Sequence, residues 1–264
     1  MRRERVFLRL VAVGALLCLA GALAFGQATR TWVSGVGDDA NPCSRTAPCK
    51  TFAGAIGKTA TGGEIDVLDP GGFGALTITK SISIEADGLI AGILVSGTNG
   101  IVVNAGPTDV VVLRGLTFQG LAFPLSGISF VSGGSLFVED CKINAFTTGI
   151  SITPSSGQSR IFIDDTTVRN SQEDGIQISP SGSASVTGTI DRVRLENNGA
   201  AGLEADASGT TQTQLTLENS TSASNGTGVL ASGFRATVLL STDTVVGNGN
   251  NTSSVFGGQI QNLP

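Results

Sequence analysis

Histidine and tyrosine are absent from this 264-residue chain, and tryptophan and methionine occur once each. Aromatic residues make up 5% of the sequence and charged residues 14%. With one tryptophan, Trp32, and no tyrosine, ring platforms on which a sugar can stack are few. Walker, Rossmann and zinc patterns are also missing; SGTNG (96–100) and NGTG (225–228) read as turn glycines, not phosphate loops. There is no basic run. The balance of 21 Asp+Glu against 16 Lys+Arg is acidic, which argues against nucleic-acid binding. Plentiful instead are glycine, at 37 residues, and Thr, Val, Ile and Asn. Such a composition suits a β-rich chain with many tight turns and suits a helical bundle poorly.

At the N-terminus Arg2, Arg3, Arg5 and Arg9 precede an apolar run from Leu10 to Phe25, and small residues follow. Residues 1–28 therefore read as a secretory signal peptide, cleaved after Gly26 or Ala28. The run is short for a stable membrane span and no second span follows, so the mature chain is expected to be secreted or periplasmic and free of the membrane. The segment holds four Arg and one Glu, so its removal deepens the acidic excess. Leu16-Leu17-Cys18 lacks the small residue that a lipoprotein anchor needs, and Cys18 leaves with the signal. Export implies a compartment that permits disulfides. Cys43 and Cys49 bracket SRTAP and are expected to bridge, whereas Cys141 is expected to be a buried thiol.

Two interlocked phrases repeat along the body. The first is Gly, apolar, any residue, apolar or small: GISF (127–130), GISI (149–152), GIQI (175–178), GLEA (202–205) and GVLA (228–231). The second is anchored on Leu113, Val138, Ile163, Ile190, Leu217 and Leu240, at spacings of 25, 25, 27, 27 and 23. Each phrase alternates apolar and polar residues, the signature of a short strand with one buried face. Strands recurring once per repeat in one direction stack in parallel as a solenoid. Residues 63–264 therefore read as an all-β parallel β-helix of about eight coils. Residues 29–62 form an N-terminal segment with a short capping helix.

Four inward columns follow from the register. They are Ile128/Ile150/Ile176/Leu203/Val229, Phe130/Ile152/Ile178/Ala205/Ala231, Val138/Ile163/Ile190/Leu217/Leu240 and Phe118/Ile143/Val168/Leu195. No coil buries its own row, so the end coils need covers. TFAGAIGKTA (51–60) places Phe52, Ala55 and Ile56 at helical spacing to cap the first, and the tail SVFGGQIQNLP is expected to close the last. Asn198, Asn225 and Asn248 share a column, with Ser171 before them, and are expected to form a turn ladder.

The coil length, the GIxI strands and the Asn-bearing turns resemble the right-handed parallel β-helices of the pectate-lyase-like superfamily. The opening TWVSGVGDDANPCSRTAPCKTFAGAI also resembles the N-terminal segment of many secreted bacterial β-helix proteins. The resemblance is specific for fold, because that superfamily includes lyases, hydrolases and adhesins. It implies a substrate groove along the outward face of the GIxI strands, at Ser129, Ser151, Gln177, Glu204 and Leu230. Departures are clear: without histidine the Gly-His-Gly element of polygalacturonases is impossible, and their Asn-Thr-Asp and Arg-Ile-Lys elements are missing. The Arg base of pectate lyases has no matching motif, since Arg160 and Arg169 read as isolated turn residues. Phe123, Phe146 and Phe234 are the substitutes for sugar-stacking rings.

The acids fall into two groups. Asp164 shares a register column with Arg114, Glu139, Asp191 and Glu218, an acidic ridge that Arg114, Arg169, Arg192 and Arg194 can offset and that can also hold Ca²⁺. Asp165 shares a column with Gly115, Asp140, Arg192, Asn219 and Thr242, read as the left-handed residue of a two-residue bend. On the GIxI face Asp174, Glu204 and Asp206 are the candidate catalytic acids, Asp174 and Glu204 lying one coil apart. The expectation is a secreted β-helix that binds a polysaccharide or cell-surface glycan along its polar face, with no required cofactor beyond possible Ca²⁺. A polysaccharide lyase or glycosidase and an adhesin-like stalk are the alternatives.

Overall fold

The computed structural model describes residues 26–263; the expected signal peptide lies outside them up to residue 25. The chain winds through three parallel sheets, one of ten strands and two of eight. One turn shows the rule. Gln158–Asp164 lies in the ten-stranded sheet, Thr167–Arg169 in the second and Ile176–Ile178 in the third. The next strand, Ser185–Asp191, then stacks in parallel on Gln158–Asp164. Below, the sheets are called the ridge sheet, the short-strand sheet and the GIxI sheet.

Alternation sets each strand's faces. In Gln158–Asp164, Ile161 and Ile163 are buried while Arg160, Phe162 and Asp164 point out. All four sequence columns pair in the expected register: Ile128 through Val229 and Phe130 through Ala231 in the GIxI sheet, Val138 through Leu240 in the ridge sheet, and Phe118 through Leu195 in the short-strand sheet. Burying each large side chain stabilises the fold by roughly 1.5–3 kcal/mol, and the contact comes from the turns above and below. Cys141 joins this core; burial pushes its thiol up to about 12, so it is inert packing.

The ridge sheet leads into the short-strand sheet through a bend whose second residue is Gly115, Asp140, Asp165, Arg192, Asn219 or Thr242. Each of these has a positive φ, from 47° at Asp165 to 72° at Gly115. The expected left-handed corner is therefore present.

The ridge sheet begins at Ala28–Val33, which pairs with Thr59–Val67. Between them the chain makes a Cys43–Cys49 disulfide and one short helix, Phe52–Ile56. Thr51 caps that helix by accepting the Gly54 N–H at 2.9 Å. The helix ends at Gly57, shorter than TFAGAIGKTA suggests, because Thr59 already belongs to a strand. Phe52 and Ala55 are buried, and Phe52 packs on Phe73 with ring centroids 5.2 Å apart.

The tail does not close the far end as a separate cover. Its residues continue the winding as Asn250–Val255 and Gln259–Asn262. The inward column turns polar there instead: Thr252 pairs with Val229 and Ser254 with Ala231.

Candidate functional site

The ridge forms by register alone. Asp66, Glu85, Arg114, Glu139, Asp164, Asp191 and Glu218 follow one another on successive strands. Three arginines hold it together, Arg30 at the Asp66 end and two further along. Arg114 sits within the row and pairs with Glu139 at 2.7 Å and Glu85 at 3.4 Å. Arg192 reaches back from the corner column to Asp164, Asp191 and, at 3.1 Å, Asp165. Asn219 donates to Asp191 at 2.9 Å. Partial burial raises the Asp164 carboxyl and the Arg192 charge opposes the rise. Arg194 pairs with Glu196 rather than with the ridge. Among the described residues no group of three or more His, Cys, Asp or Glu side chains converges as metal ligands do.

The GIxI face carries the second group. Ser129, Ser151, Gln177, Glu204 and Leu230 stand in one outward row. Asp174 lies just before the strand Ile176–Ile178 and is only 6% exposed. Its Oδ1 accepts the Ala201 N–H at 2.7 Å, which ties it to the next turn. Its Oδ2 accepts from the Gln177 amide at 3.3 Å, and the same amide donates to Glu204 at 2.9 Å. Burial first, and then the Glu204 carboxylate beside it, push the Asp174 carboxyl up to about 6. Asp206, two residues beyond Glu204, accepts from the Ser179 hydroxyl at 3.1 Å. The structure thus joins Asp174 and Glu204 through Gln177 and sets Asp206 apart with Ser179. Gln177 was legible as an outward residue, but its bridging role was not.

The family described as "Right handed beta helix region" matches residues 91–263. The chain belongs to the right-handed beta-helix family. A solved structure described as "Crystal structure of pectate lyase Pel9A" is similar at 14% identity with a TM-score of 0.50, over 90% of this chain and 78% of that one. At that identity the likeness is one of fold alone. No curated protein matches the sequence.

Two further features of this β-helix bear on its surface. The Asn column is a buried ladder: Asn198 donates to Asn225 at 2.9 Å and Asn225 to Asn248 at 3.0 Å. Asn198 Oδ1 also accepts the Ser171 N–H at 3.0 Å. A second, exposed ladder runs beside it, with Asn144 donating to Gln119, Asn170 to Asn144 and Asn197 to Asn170 at 2.6–2.8 Å. The Asn side chains therefore serve the turn.

The rings are not where the sequence suggested. Phe146 is fully buried, while Phe123 and Phe234 are 87% and 85% exposed on loops. Phe137 and Phe162 form the stacked pair instead, with centroids 4.7 Å apart and planes 12° apart on the outer face of the ridge sheet. The signal was present: each lies between two inward residues, Leu136 and Val138 or Ile161 and Ile163, and so must point out. Arg160 and Arg169 lie within strands rather than on turns, on the outward faces of Gln158–Asp164 and Thr167–Arg169.

Proposed function

We propose that this β-helix is an exported protein that holds a polysaccharide or cell-surface glycan along its GIxI face without cleaving it. The observation that carries the reading is the in-register polar row Ser129–Ser151–Gln177–Glu204, flanked by Asp174, Ser179 and Asp206. Rows of hydroxyl, amide and carboxylate groups at one strand spacing, about 4.8 Å, match the polar rim of an extended sugar chain. We also read each set of three strands as one coil, eight in all, with the helix Phe52–Ile56 as cap of the first; the support is the eight strands in each of two sheets and the burial of Phe52 and Ala55.

The hydrolase alternative is weaker on geometry. Glycosidases set their two carboxyl groups roughly 5–9.5 Å apart to admit a sugar carbon or a water. Asp174 and Glu204 converge on the Gln177 amide, and Asp174 is buried and also held by the Ala201 N–H, so it is poorly placed to reach a substrate oxygen. A Ca²⁺ ion on Glu139, Asp164, Asp191 and Glu218 would have to displace guanidinium groups already seated there.

The test is a panel of acidic and neutral polysaccharides offered to the purified chain, with and without Ca²⁺, reading binding and product together. Binding without product, weakened by a Gln177→Ala/Glu204→Gln double substitution, is expected. Product release would establish an enzyme. Failure to bind any member would leave the stalk reading in its place.

A further inference from the structure

We infer that the ridge sheet carries a separate groove for a short neutral saccharide, between Phe162 and Leu239. The outward centre row of that sheet reads Val112, Phe137, Phe162, Thr189, Thr216 and Leu239 in register. Side-chain bulk falls abruptly after Phe162 and returns at Leu239. The floor between them is also lowered. Gly188 occupies an inward position between Ile161 and Leu215, where every other strand of the column keeps an apolar side chain from Val111 to Val238. A Cβ at Gly188 would lie 2.2 Å from the Ile161 carbonyl oxygen, so this strand approaches its neighbour as only glycine allows. The result is a groove of about 430 Å³ on the outside, lined by Phe162, Thr187, Thr189, Gln214, Thr216 and Thr237 and closed by Leu239. Three strand steps of about 4.8 Å separate its end walls, a length of roughly 14 Å that admits a disaccharide.

The lining selects the ligand class. Phe137 covers one face of Phe162. The stack runs along the solenoid axis at nearly one strand spacing, so the other face of Phe162 is turned toward Thr189 and the groove. A ring face opposite hydroxyl and amide groups suits a pyranose, which has an apolar C–H face and a rim of hydroxyls. The hydroxyls of Thr187, Thr189, Thr216 and Thr237 and the Gln214 amide make no side-chain hydrogen bond among the described residues, whereas the inward Thr213 on the same strand bonds the Asp206 carbonyl at 2.6 Å. No charged side chain lines the groove. Two residues along each strand stand Asp164, Asp191 and Glu218; Arg192 offsets part of their charge and Arg160 stands beside Thr187 at the other edge, so the surround stays net acidic and disfavours an anionic sugar. A neutral saccharide fits this arrangement and a uronate does not.

The experiment is a ¹H–¹⁵N titration of the described chain with cellobiose, maltose, mannobiose and lactose, and with digalacturonate as the charged comparator. At least one neutral disaccharide is expected to shift the amides of residues 187–189, 214–216 and 237–239 in a saturable manner. Thr189→Val, which keeps shape and removes the hydroxyl, and Phe162→Leu are each expected to weaken that binding by roughly tenfold. Glu204→Gln on the other face is expected to leave it unchanged, so loss of glycan binding at the GIxI face and loss of binding here are read separately. Absence of shifts with all four neutral sugars, equal binding of digalacturonate, or full affinity in both Thr189→Val and Gln214→Ala would overturn the assignment.

Discussion

Asp174 and Glu204, on successive turns of the GIxI sheet, share the side-chain amide of Gln177 at 3.3 and 2.9 Å. Burial of Asp174, and the Glu204 carboxylate beside it, push the Asp174 carboxyl up to about 6. The ordinary value is 3.8. Between those two values the folded chain binds a proton that the unfolded chain has lost, so stability falls as pH rises through that window and stays lower above it. The whole effect is on the order of 2–3 kcal/mol. Asp174→Asn should remove the slope, because its oxygen still accepts the Ala201 N–H and its amide can donate to Glu204. Urea unfolding from about pH 4 to pH 7 checks this. A variant that keeps the wild-type slope would show that another group titrates.

Arg192 is the sole cation in direct contact with both Asp164 and Asp191 among the described residues. Arg192→Ala should therefore lower the thermal midpoint at low ionic strength and lower it less in high salt, since the lost contacts are screened ones. It should also change the response to Ca²⁺. The wild-type midpoint is expected to be insensitive to millimolar Ca²⁺, and that of Arg192→Ala to rise with it, as the freed carboxylates accept the ion. A wild-type midpoint that rises as much as the variant's would restore the ridge as a native Ca²⁺ site.

The sequence carried the fold far and the sites only part of the way. Ile161, Ile163 and Val168 declare their inward faces by alternation, and a period near 25 residues assigns each a partner one turn away. Asp165 could be read as a corner because its column also holds Gly115 and Asn219. Register, however, says which residues are neighbours without saying how far a side chain reaches. Arg192 was named with Arg114, Arg169 and Arg194 as able to offset the ridge, but register did not show that Arg192 would span three carboxylates while Arg194 turned to Glu196. Gln177 was placed in a row with Glu204, yet the turn residue Asp174 arrives beside it only because Ala201 holds it there. The groove depends on Gly188 replacing an inward apolar residue, a dent that a single glycine in a strand suggests only once its column is known.

The buried Asn ladder should be the most sensitive polar feature of the coil. Asn225 donates to the Leu195 carbonyl at 2.9 Å and to Ser222 at 3.0 Å, and accepts from the Asn198 backbone at 2.9 Å. It is 4% exposed. Asn225→Ala leaves several buried groups without partners and should cost about 2–4 kcal/mol. Asn170→Ala, in the exposed ladder, loses groups that water replaces and should cost about 0.5 kcal/mol or less. Paired urea titrations measure the difference. Equal losses would mean that the ladder contributes through turn conformation rather than through burial.

Thr242 completes the corner column in the last turns with a φ of 58°, where Gly115, Asp140, Asp165 and Asn219 hold the same place earlier. A β-branched residue is poorly suited to this region, at a cost of about 1–2 kcal/mol. Its hydroxyl recovers part of that by bonding Asn219 at 2.7 Å. Asparagine tolerates the left-handed backbone and can donate to the same Asn219 oxygen. Thr242→Asn should therefore stabilise the chain by about 0.5–1 kcal/mol. Thr242→Gly relieves the same strain but loses the hydrogen bond and frees the unfolded chain, so it should fall between wild type and Thr242→Asn. Urea midpoints of the three proteins test the order. A Thr242→Asn protein no more stable than wild type would mean that the hydroxyl contact, not the backbone strain, decides the residue at this corner.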